Sequence, residues 1–279
     1  MTKTKISFEV YPPRNPEAAP ALFEAIDVLG NLSPEFISVT FGAGGSETKN
    51  SLEVLGYIRE NTRAIPLAHL TCVGTTAQEA QGLVGEFLDA GIDNFLALRG
   101  DLPEGISNLP ETSLSTAAEL VSLIAKTRST QGLTAVAAFP NGHPESGEER
   151  KDIHALLAKQ EAGADFAITQ LFFFAEDYFN FVSLARSMGV RIPILPGVMP
   201  ITSPKRLARA VELTGERNPA ELSQALEAAK DLSERVEIGV SWASKLVAEL
   251  IEGGVPGVHL YAFNEHKNVT EVLRRAGVI

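Results

Sequence analysis

The chain alternates between short apolar runs and longer amphipathic segments from one end to the other. The runs are rich in Val, Ile, Phe and Thr, which is typical of buried strands, and the segments between them repeat apolar residues with a helical period. Eight such strand-then-helix units follow one another. The predicted strands cover residues 5–11, 36–42, 67–73, 94–100, 134–140, 166–173, 192–198 and 257–263.

Local signals at the helix ends support this alternation. Thr75 and Thr76 can cap the third helix, and Gly91 and Gly163 stand where a left-handed residue commonly ends a helix. The predicted helices between strands include 16–30, 76–90, 148–162 and 233–252.

Eight units in about 250 residues match a (β/α)8 barrel. A doubly wound sheet usually has fewer strands and a glycine-rich first turn, which is missing after Tyr11. The connection from 198 to 257 is too long for one helix and contains two candidates, at 203–214 and 219–227. We therefore predict an α/β fold, a (β/α)8 TIM barrel, as a single domain over residues 1–279 with an extra helix after strand seven.

Composition narrows the choice of partners. The 279 residues are 44% hydrophobic, yet no stretch reaches the roughly 18 apolar residues of a membrane helix, and the N-terminus lacks a signal-type apolar region. A cytoplasmic protein is expected. The net charge of −11 disfavours nucleic acid and anionic membranes, so an anionic ligand needs a local basic pocket. The single cysteine, Cys72, excludes an internal disulfide.

Polar residues gather at the predicted strand ends. A (β/α)8 barrel builds its active site at the C-terminal ends of its strands, so polarity there is informative. The residues at these ends are Glu9, Thr40, His69, Arg99, Asp101, His143, Gln170 and Asn264.

Each of these residues has a structural alternative. Between Phe8 and Val10, an inward Glu9 carboxylate is costly unless functional or paired, whereas an outward one would be solvated. Taken alone, His69 is more typical of a core histidine, and Thr40 or Gln170 could satisfy neighbouring strands.

The loops at the strand ends leave further alternatives. Arg99 and Asp101 could pair at the rim, although Arg99 ends an apolar run and Gly100 permits close backbone approach. The glycines of "FGAGGS" suit either a loop that presents backbone N–H groups or a plain turn. No metal site is expected, because the histidines on or near strands lack ligand spacing.

Taken together, these stretches resemble the methylenetetrahydrofolate reductases, flavoproteins with a (β/α)8 barrel. The resemblance covers nearly the whole chain, in order. It is carried by "SFEVYPPR", "FISVTFGAGGS", "AHLTCVG", "LALRGDLP", "FPNGHPES", "GADFAITQLFF", "LPGVMPI" and "HLYAFN".

The resemblance implies a role for individual residues. Glu9 would be the general acid, and Asp101 would tune the flavin and pterin edge as the second catalytic residue. The implied substrate-binding residues are Ser7, Glu9, Asp101, Gln170, Gln224 and Tyr261. The implied cofactor-binding residues are Thr40, Phe41, Ala43, His69, Arg99, Gly100, Asp101, Ala117, Phe139, His143, Ser146, Asp152 and Lys159.

The implied activity is reduction of 5,10-methylenetetrahydrofolate to 5-methyltetrahydrofolate, with FAD as cofactor and NADH or NADPH as cosubstrate, in methionine biosynthesis. The partners would be a reduced folate and a nicotinamide nucleotide, with a homo-oligomer left open. The methylene bridge reacts after N10 is protonated and the ring opens to an iminium at N5, so a positioned acid is needed.

Several positions depart from the family's usual pattern. Ala155 and Ala158 replace asparagine and arginine, and Thr116 replaces a tyrosine, which thins the FAD contacts. Two alternatives follow: direct hydride transfer from NAD(P)H without flavin, or a folate-binding barrel without turnover. Glu265 replaces an arginine after Asn264, with His266 or Lys267 as available cations. The segment around Gln224 also lacks the usual tryptophan.

Overall fold

Nine parallel strand segments form one sheet that curls into a barrel, with helices around it. The computed structural model describes residues 4–13, 15–41, 45–100, 112–142, 149–215 and 217–279. The strands are β1 (Ile6–Val10), β2 (Phe36–Val39), β3 (Ile65–Thr71), β4 (Phe95–Leu98), β5 (Thr134–Ala138), β6 (Phe166–Thr169), β7 (Ile194–Leu195), β8 (Gly197–Val198) and β9 (Val258–Tyr261).

The barrel closes through the seventh predicted strand, which a proline divides into two segments. The order across the sheet is β7-β6-β5-β4-β3-β2-β1-β9-β8, and every neighbouring pair is parallel. β7 pairs with β6, whereas β8 pairs with β9, so the chain itself joins both sheet edges at Pro196. Proline has no N–H to donate, but the Pro196 carbonyl accepts from the His259 backbone N at 2.9 Å. The predicted fold class is confirmed.

The helices follow the strands as the periodicity predicts. A short 3-10 turn at Pro16–Ala18 precedes the first helix. The helices are α1 (Ala19–Gly30), α2 (Gly45–Asn61), α3 (Ala77–Asp89), α4 (Ala117–Thr127), α5 (Glu149–Glu161), α6 (Ala175–Ser187), α7 (Pro204–Thr214), α8 (Ala220–Ala228), α9 (Leu232–Glu252) and α10 (His266–Arg275).

Helix capping accounts for several of these boundaries. Thr76 caps α3 by accepting from the Glu79 backbone N, and the Glu79 carboxylate accepts in return from the Thr76 backbone N at 2.8 Å. Gly91 and Gly163 have φ angles of 75° and 108°, in the left-handed region predicted for them. Local sequence thus fixes where the helices stop and the barrel strands begin.

Side chains alternate between two apolar layers along each strand. Phe8 and Val10 of β1 belong to the large core between the sheet and its helices. A second cluster fills the barrel interior, and it is made of Phe36, Leu67, Leu96, Ala135, Phe166 and Ile168. Since Ser7 and Glu9 alternate with Phe8, they face the barrel interior. The polar groups of β1 therefore share the barrel interior with this apolar cluster.

The extra segment after the seventh strand has its own small core. α7 and α8 contribute Leu207, Ala210, Leu222 and Leu226 to a cluster with Phe173. α8 packs against α7 and α9. Residues 199–203 connect the end of β8 to the first turn of α7.

Gly197 lies in the closing strand, β8, where there is no room for a side chain. A Cβ at this position would lie 2.4 Å from the Thr169 carbonyl O and 2.7 Å from the Tyr261 ring. We expect Gly197→Ala to lower the free energy of unfolding by about 1–3 kcal/mol, because backbone on one side cannot yield. Urea denaturation measures this change.

The matched control is Gly82→Ala in α3, where an added Cβ meets nothing within 4 Å. This variant should raise the free energy of unfolding by roughly 0.5–1 kcal/mol through reduced chain entropy. Equal stability of the two variants would contradict the packing described for the closing strand.

Candidate active site

The pairing of the first and last strands assembles a polar cluster inside the barrel. In the register of β1 with β9, Ser7 lies beside His259 and Glu9 lies beside Tyr261. Glu9 and Tyr261 are the pair nearer the C-terminal ends of these strands. His69 of β3 joins the cluster, with its Nε2 3.5 Å from the Glu9 carboxylate.

Glu9 is the centre of this cluster. It is 7% exposed, and its Oε2 lies 3.5 Å from His69 Nε2 and 3.9 Å from His259 Nε2. Both imidazole Nε2 atoms are buried and lack a hydrogen-bond partner in the described part of the chain. The carboxyl group therefore lies between two imidazoles that retain capacity for a further hydrogen bond.

The electrostatics of His69 follow from its burial. Burial lowers its pKa below the usual histidine value, His259 adds to this effect, and the Glu9 carboxylate opposes it. Near neutral pH the His69 ring is thus uncharged. Glu9 consequently faces a neutral ring rather than a permanent cation.

Hydrogen bonds and ring contacts hold the other side of the cluster. His259 Nδ1 lies 2.9 Å from Ser7 Oγ, and the His259 ring stacks on Phe36 at 5.6 Å. The Tyr261 hydroxyl donates to the Thr169 carbonyl O at 2.8 Å, and burial raises the Tyr261 pKa well above its ordinary value. Tyr261 is therefore a fixed hydrogen-bond donor rather than an acid that ionises.

The rim above Glu9 is held by an unusual backbone conformation. Phe263 and Asn264 have φ angles of 49° and 62°, although neither is glycine. Asn264 stabilises this turn by a pair of hydrogen bonds with Tyr11, accepting from its N at 2.7 Å and donating to its O at 2.9 Å. As a result, the Tyr11 and Phe263 rings stack at 5.2 Å.

Lys159 fits a phosphate-bearing cofactor. Its ammonium donates to the Ala137 carbonyl O at 2.9 Å and lies 5.8 Å from the Phe139 ring centroid. Burial lowers its pKa to about 8, partly offset by Asp152. An ammonium has three N–H donors, and within the described ranges the other two have no protein acceptor. An anionic group, such as the phosphate of the expected cofactor, would satisfy them.

Further predicted cofactor residues lie directly after the C-terminal ends of β2 and β4. Gly100 has a φ of 83°, and its Arg99 neighbour accepts backbone hydrogen bonds from Cys72 and Val73 at 3.1 and 2.8 Å. The Phe41 ring contacts Phe87 of α3, edge-on at 6.0 Å. Thr40 directly follows β2, where its backbone O accepts from Ser51 Oγ.

The other predicted residues are more scattered. Gln170 follows β6, and its Oε1 accepts from the Leu171 backbone N at 2.9 Å. Ala117 is buried at the start of α4, beside Thr116, whose hydroxyl caps that helix. Gln224 is exposed on α8, which does not follow a strand end. Ala43, Asp101, His143 and Ser146 lie outside the described residues.

The sequence alone does not predict two residues around Glu9. His259 is one of the strand histidines that lack metal-ligand spacing, and nothing local to Tyr11 indicates its place at the rim. The spacing of two between His259 and Tyr261 puts them on one strand face, which could have revealed the first. No group of three or more His, Cys, Asp or Glu within the described ranges has the geometry of a metal site.

The pKa of His69 predicts a pH-dependent stability. Because the folded-state pKa lies below the unfolded value of about 6.5, the unfolded chain binds a proton first as the pH falls. Stability should therefore be complete above pH 6.5 and decline below it, by up to about 1.4 kcal/mol per pH unit. His69→Gln should flatten this decline, as measured by urea denaturation at pH 8 and pH 5.5.

The pH 8 comparison is the internal control, since it isolates the change in packing from the change in proton binding. An unchanged difference in stability between the two pH values in His69→Gln would show that His69 does not carry this dependence.

The chain is similar to known proteins over nearly its whole length. The family model described as methylenetetrahydrofolate reductase matches residues 1–277. The chain is 34% identical over 274 residues to the 5,10-methylenetetrahydrofolate reductase of Escherichia coli (strain K12), covering 98% of this chain and 90% of that protein. It is 33% identical to methylenetetrahydrofolate reductase (NADH) 1 of Arabidopsis thaliana, covering 99% of this chain and 49% of that protein.

Among solved structures, an uncharacterized protein from Clostridium thermocellum, described as binding two copies of 5-methyl-5,6,7,8-tetrahydrofolic acid, has a TM-score of 0.65 at 16% identity. That similarity covers 98% of this chain and 94% of the other, and it shows the fold alone. No helix within the described ranges is long and apolar enough to span a bilayer.

The sequence relatives confirm both the expected resemblance and the expectation of an enzyme. Their similarity extends over almost all of this chain. It includes both the first strand, with Glu9, and the last strand, with His259, which pair in the barrel. The chain belongs to the methylenetetrahydrofolate reductase family.

Proposed function

We propose that this protein reduces 5,10-methylenetetrahydrofolate to 5-methyltetrahydrofolate with FAD as cofactor and NADH or NADPH as the hydride source. The observation that carries this proposal is the buried Glu9 carboxyl at the strand ends, flanked by two imidazole Nε2 atoms. The names of the relatives support the folate substrate and the reduction. The flavin and the nicotinamide remain part of the proposal.

Glu9 is suited to deliver a proton at one defined position. Its neighbours His69 and Ser7 are uncharged near neutral pH, and among the described residues no lysine or arginine lies within ion-pair distance of it. The acid that protonates N10 of the folate must lie within hydrogen-bond reach of that nitrogen. A carboxyl near the C-terminal end of a barrel strand, where such barrels bind their substrates, is placed to meet this condition.

The surrounding residues keep Glu9 oriented and exclude water. His259 is fully buried and held by Ser7 and by stacking on Phe36, so it fixes one side of the carboxyl. His69 fixes the other side. Tyr261 is held by Thr169 and closes the cluster against β6.

Bound FAD would accept a hydride from the nicotinamide and pass it to the one-carbon unit of the folate. In this chain Lys159, on α5 with its ammonium against β5, and Arg99, directly after β4, would hold its phosphates. Lys159 is the better supported of the two, because its buried ammonium has N–H donors that the described protein leaves unsatisfied. The electron chemistry belongs to the cofactor, whereas the protein contributes the acid and the positioning.

A second candidate function is direct hydride transfer from the nicotinamide to the folate without flavin. The observation that favours it lies on α5, where Ala155 and Ala158 are exposed methyl groups beside Lys159. A helix face with two alanines offers few polar contacts to a dinucleotide. The two candidates share Glu9 as the acid and differ in the cofactor alone.

The absorption spectrum of the purified protein distinguishes these two candidates. With FAD as cofactor, the protein should be yellow, should bleach with NADH under anaerobic conditions, and should regain its colour when the methylene folate is added. Lys159→Met should weaken FAD retention by about tenfold or more, because a charge-assisted contact to phosphate is lost.

Lys151→Met, also on α5 but exposed, is the matched control and should retain FAD. Folate reduction by protein free of flavin would instead support direct hydride transfer. A protein that neither binds flavin nor reduces the folate would contradict both candidates.

The Glu9→Gln substitution tests whether Glu9 donates the proton to the folate. This variant keeps the size of the side chain but has no proton to give, so we expect folate reduction to fall by about 10²- to 10⁴-fold. Reduction of bound flavin by NADH needs no acid from Glu9 and should stay within a few-fold of the native rate. Single-turnover absorbance measurements of the two half-reactions separate these effects.

Glu24→Gln, on the exposed face of α1, should leave both half-reactions unchanged. Equal loss of both half-reactions in Glu9→Gln would indicate a structural role for Glu9 and would contradict its role as the acid.

A further inference from the structure

A serine hydroxyl contacts one ring nitrogen of the fully buried His259. Ser7 on β1 and His259 on β9 are register partners, and Ser7 Oγ lies 2.9 Å from His259 Nδ1. The same Oγ lies 3.5 Å from the Val258 carbonyl O. The exposed fraction of Ser7 is 2% and that of His259 is 0%, so bulk solvent does not compete for these contacts.

The Ser7 hydroxyl has one proton, and two neighbouring atoms can accept it. A carbonyl oxygen can only accept a hydrogen bond, whereas a nitrogen of a neutral imidazole either donates or accepts. If Ser7 donates to the Val258 carbonyl O, then Nδ1 of His259 donates to Oγ, and both contacts are satisfied. If Oγ instead donates to Nδ1, the contact with Val258 has no proton. The geometry therefore favours the tautomer of His259 with its proton on Nδ1.

The other ring nitrogen of His259 faces Glu9. His259 Nε2 lies 3.9 Å from Glu9 Oε2, is buried, and has no hydrogen-bond partner among the described residues. In the tautomer with its proton on Nδ1, this nitrogen presents a lone pair. A lone pair disfavours a carboxylate beside it, and it can accept from a protonated carboxyl when a small rotation of the Glu9 side chain shortens the distance.

An ion pair between a protonated His259 and a Glu9 carboxylate does not fit the distances. Charge-assisted N–H···O bonds are typically about 2.7–2.9 Å long, whereas the Nε2 atoms of His259 and His69 lie 3.9 and 3.5 Å from Glu9 Oε2. A second charge in a ring with no exposed surface would also be costly. The neutral pair of an imidazole and a carboxyl group agrees better with this geometry.

The other groups around Glu9 supply no compensating charge in the described part of the chain. Burial lowers the pKa of the neighbouring histidine and raises the pKa of two neighbouring tyrosines, so all three are uncharged near neutral pH: His69 on β3, Tyr261 on β9 and Tyr11 after β1. On β2, the register partner of Glu9 is Ser38, which does not titrate. The position of the His259 proton is therefore the variable that sets the protonation of Glu9.

We propose that Ser7 and His259 act as a positioning pair that keeps the Glu9 carboxyl protonated until the folate takes its proton. Ser7 holds the imidazole proton on Nδ1, and the unprotonated Nε2 disfavours the carboxylate. This inference rests on the proposed function, in which Glu9 protonates N10. In that step Glu9 gives one proton to N10 and becomes a carboxylate, while the imidazole keeps its own proton.

Ser7→Ala tests the pair because it removes the acceptor of the Nδ1 proton. The His259 proton can then move to Nε2 and stabilise the Glu9 carboxylate, so the folate half-reaction should lose its rate at a lower pH. In single-turnover absorbance measurements, the ratio of the rate at pH 8 to that at pH 6 should fall by about five- to tenfold, as for a shift of about one pH unit.

Two further variants identify the groups responsible. His259→Asn keeps a polar group near the position of Nδ1 but has none at Nε2, so it should lower the same ratio. Ser7→Thr keeps the hydroxyl and should retain the native ratio. An equal fall at both pH values in Ser7→Ala would indicate a lost contact with the substrate and would overturn the proposal.

The matched control is Ser38→Ala, which removes another buried hydroxyl on the strand beside Glu9. Ser38 Oγ donates to the Phe8 carbonyl O at 3.4 Å. This variant should keep the native ratio of rates, and a fall as large as that of Ser7→Ala would contradict a specific role for Ser7. Far-UV circular dichroism shows whether each variant is folded.

Nitrogen-15 NMR separates this test from that of the proposed function, because it detects the tautomer without turnover. The chain has five histidines, and the signals of His259 are those missing from the spectrum of His259→Asn. In native protein labelled on histidine, at pH 7, Nδ1 of His259 should carry the proton and Nε2 should have the shift of an unprotonated nitrogen. This result supports the inference even if folate reduction is not observed. A proton on Nε2, or on both nitrogens, overturns it even if the reduction proceeds.

Discussion

The parallel pairing of the first strand with the last is the constraint on which the site depends. It brings Ser7 beside His259 and Glu9 beside Tyr261, although more than 250 residues separate the members of the first pair. Because strand side chains alternate between faces, a slip of one residue would turn Glu9 toward the helices and Phe8 into the barrel. Phe8 and Val10 are fully buried among the helices, so the apolar core itself enforces the register that presents Glu9.

The polar cluster lowers the stability of the folded chain, and the apolar packing of the barrel compensates for this loss. Each buried polar atom without a partner costs about 1–3 kcal/mol, and the Nε2 atoms of His69 and His259 are two such atoms. The neighbouring interior cluster that includes Phe36, Leu67 and Phe166 is apolar. The two Nε2 atoms lie 3.5 and 3.9 Å from the Glu9 carboxyl, so a ligand group that reaches Glu9 could also supply a missing partner.

The sequence predicts the frame of this molecule better than its site. Periodicity locates the strands and helices because each must bury one face, and Thr76, Gly91 and Gly163 mark helix ends through local geometry alone. The division of the seventh strand at Pro196 was not predicted, since a single apolar run can pair with β6 over one part and with β9 over the next.

Residues of the site were predictable where the chemistry was unusual for their position. A glutamate between Phe8 and Val10 is unusual in an apolar strand, because burying its carboxylate is costly, and this predicts Glu9 as a site residue. His259 is different, because its place in the site depends on neighbours far away in the sequence. The distance from His259 to Glu9 is not encoded in a local pattern.

A protein with a net charge of −11 must recruit anionic ligands through individual cations rather than through its overall field. Lys159, on α5, shows how this can be done. Its ammonium is held by the Ala137 carbonyl O, and burial lowers its pKa to about 8, so a nearby phosphate would stabilise its charged form. Because this cation is fixed before an anion arrives, less entropy is lost on binding. An acidic barrel can therefore bind an anion through one desolvated cation, without a broad basic surface.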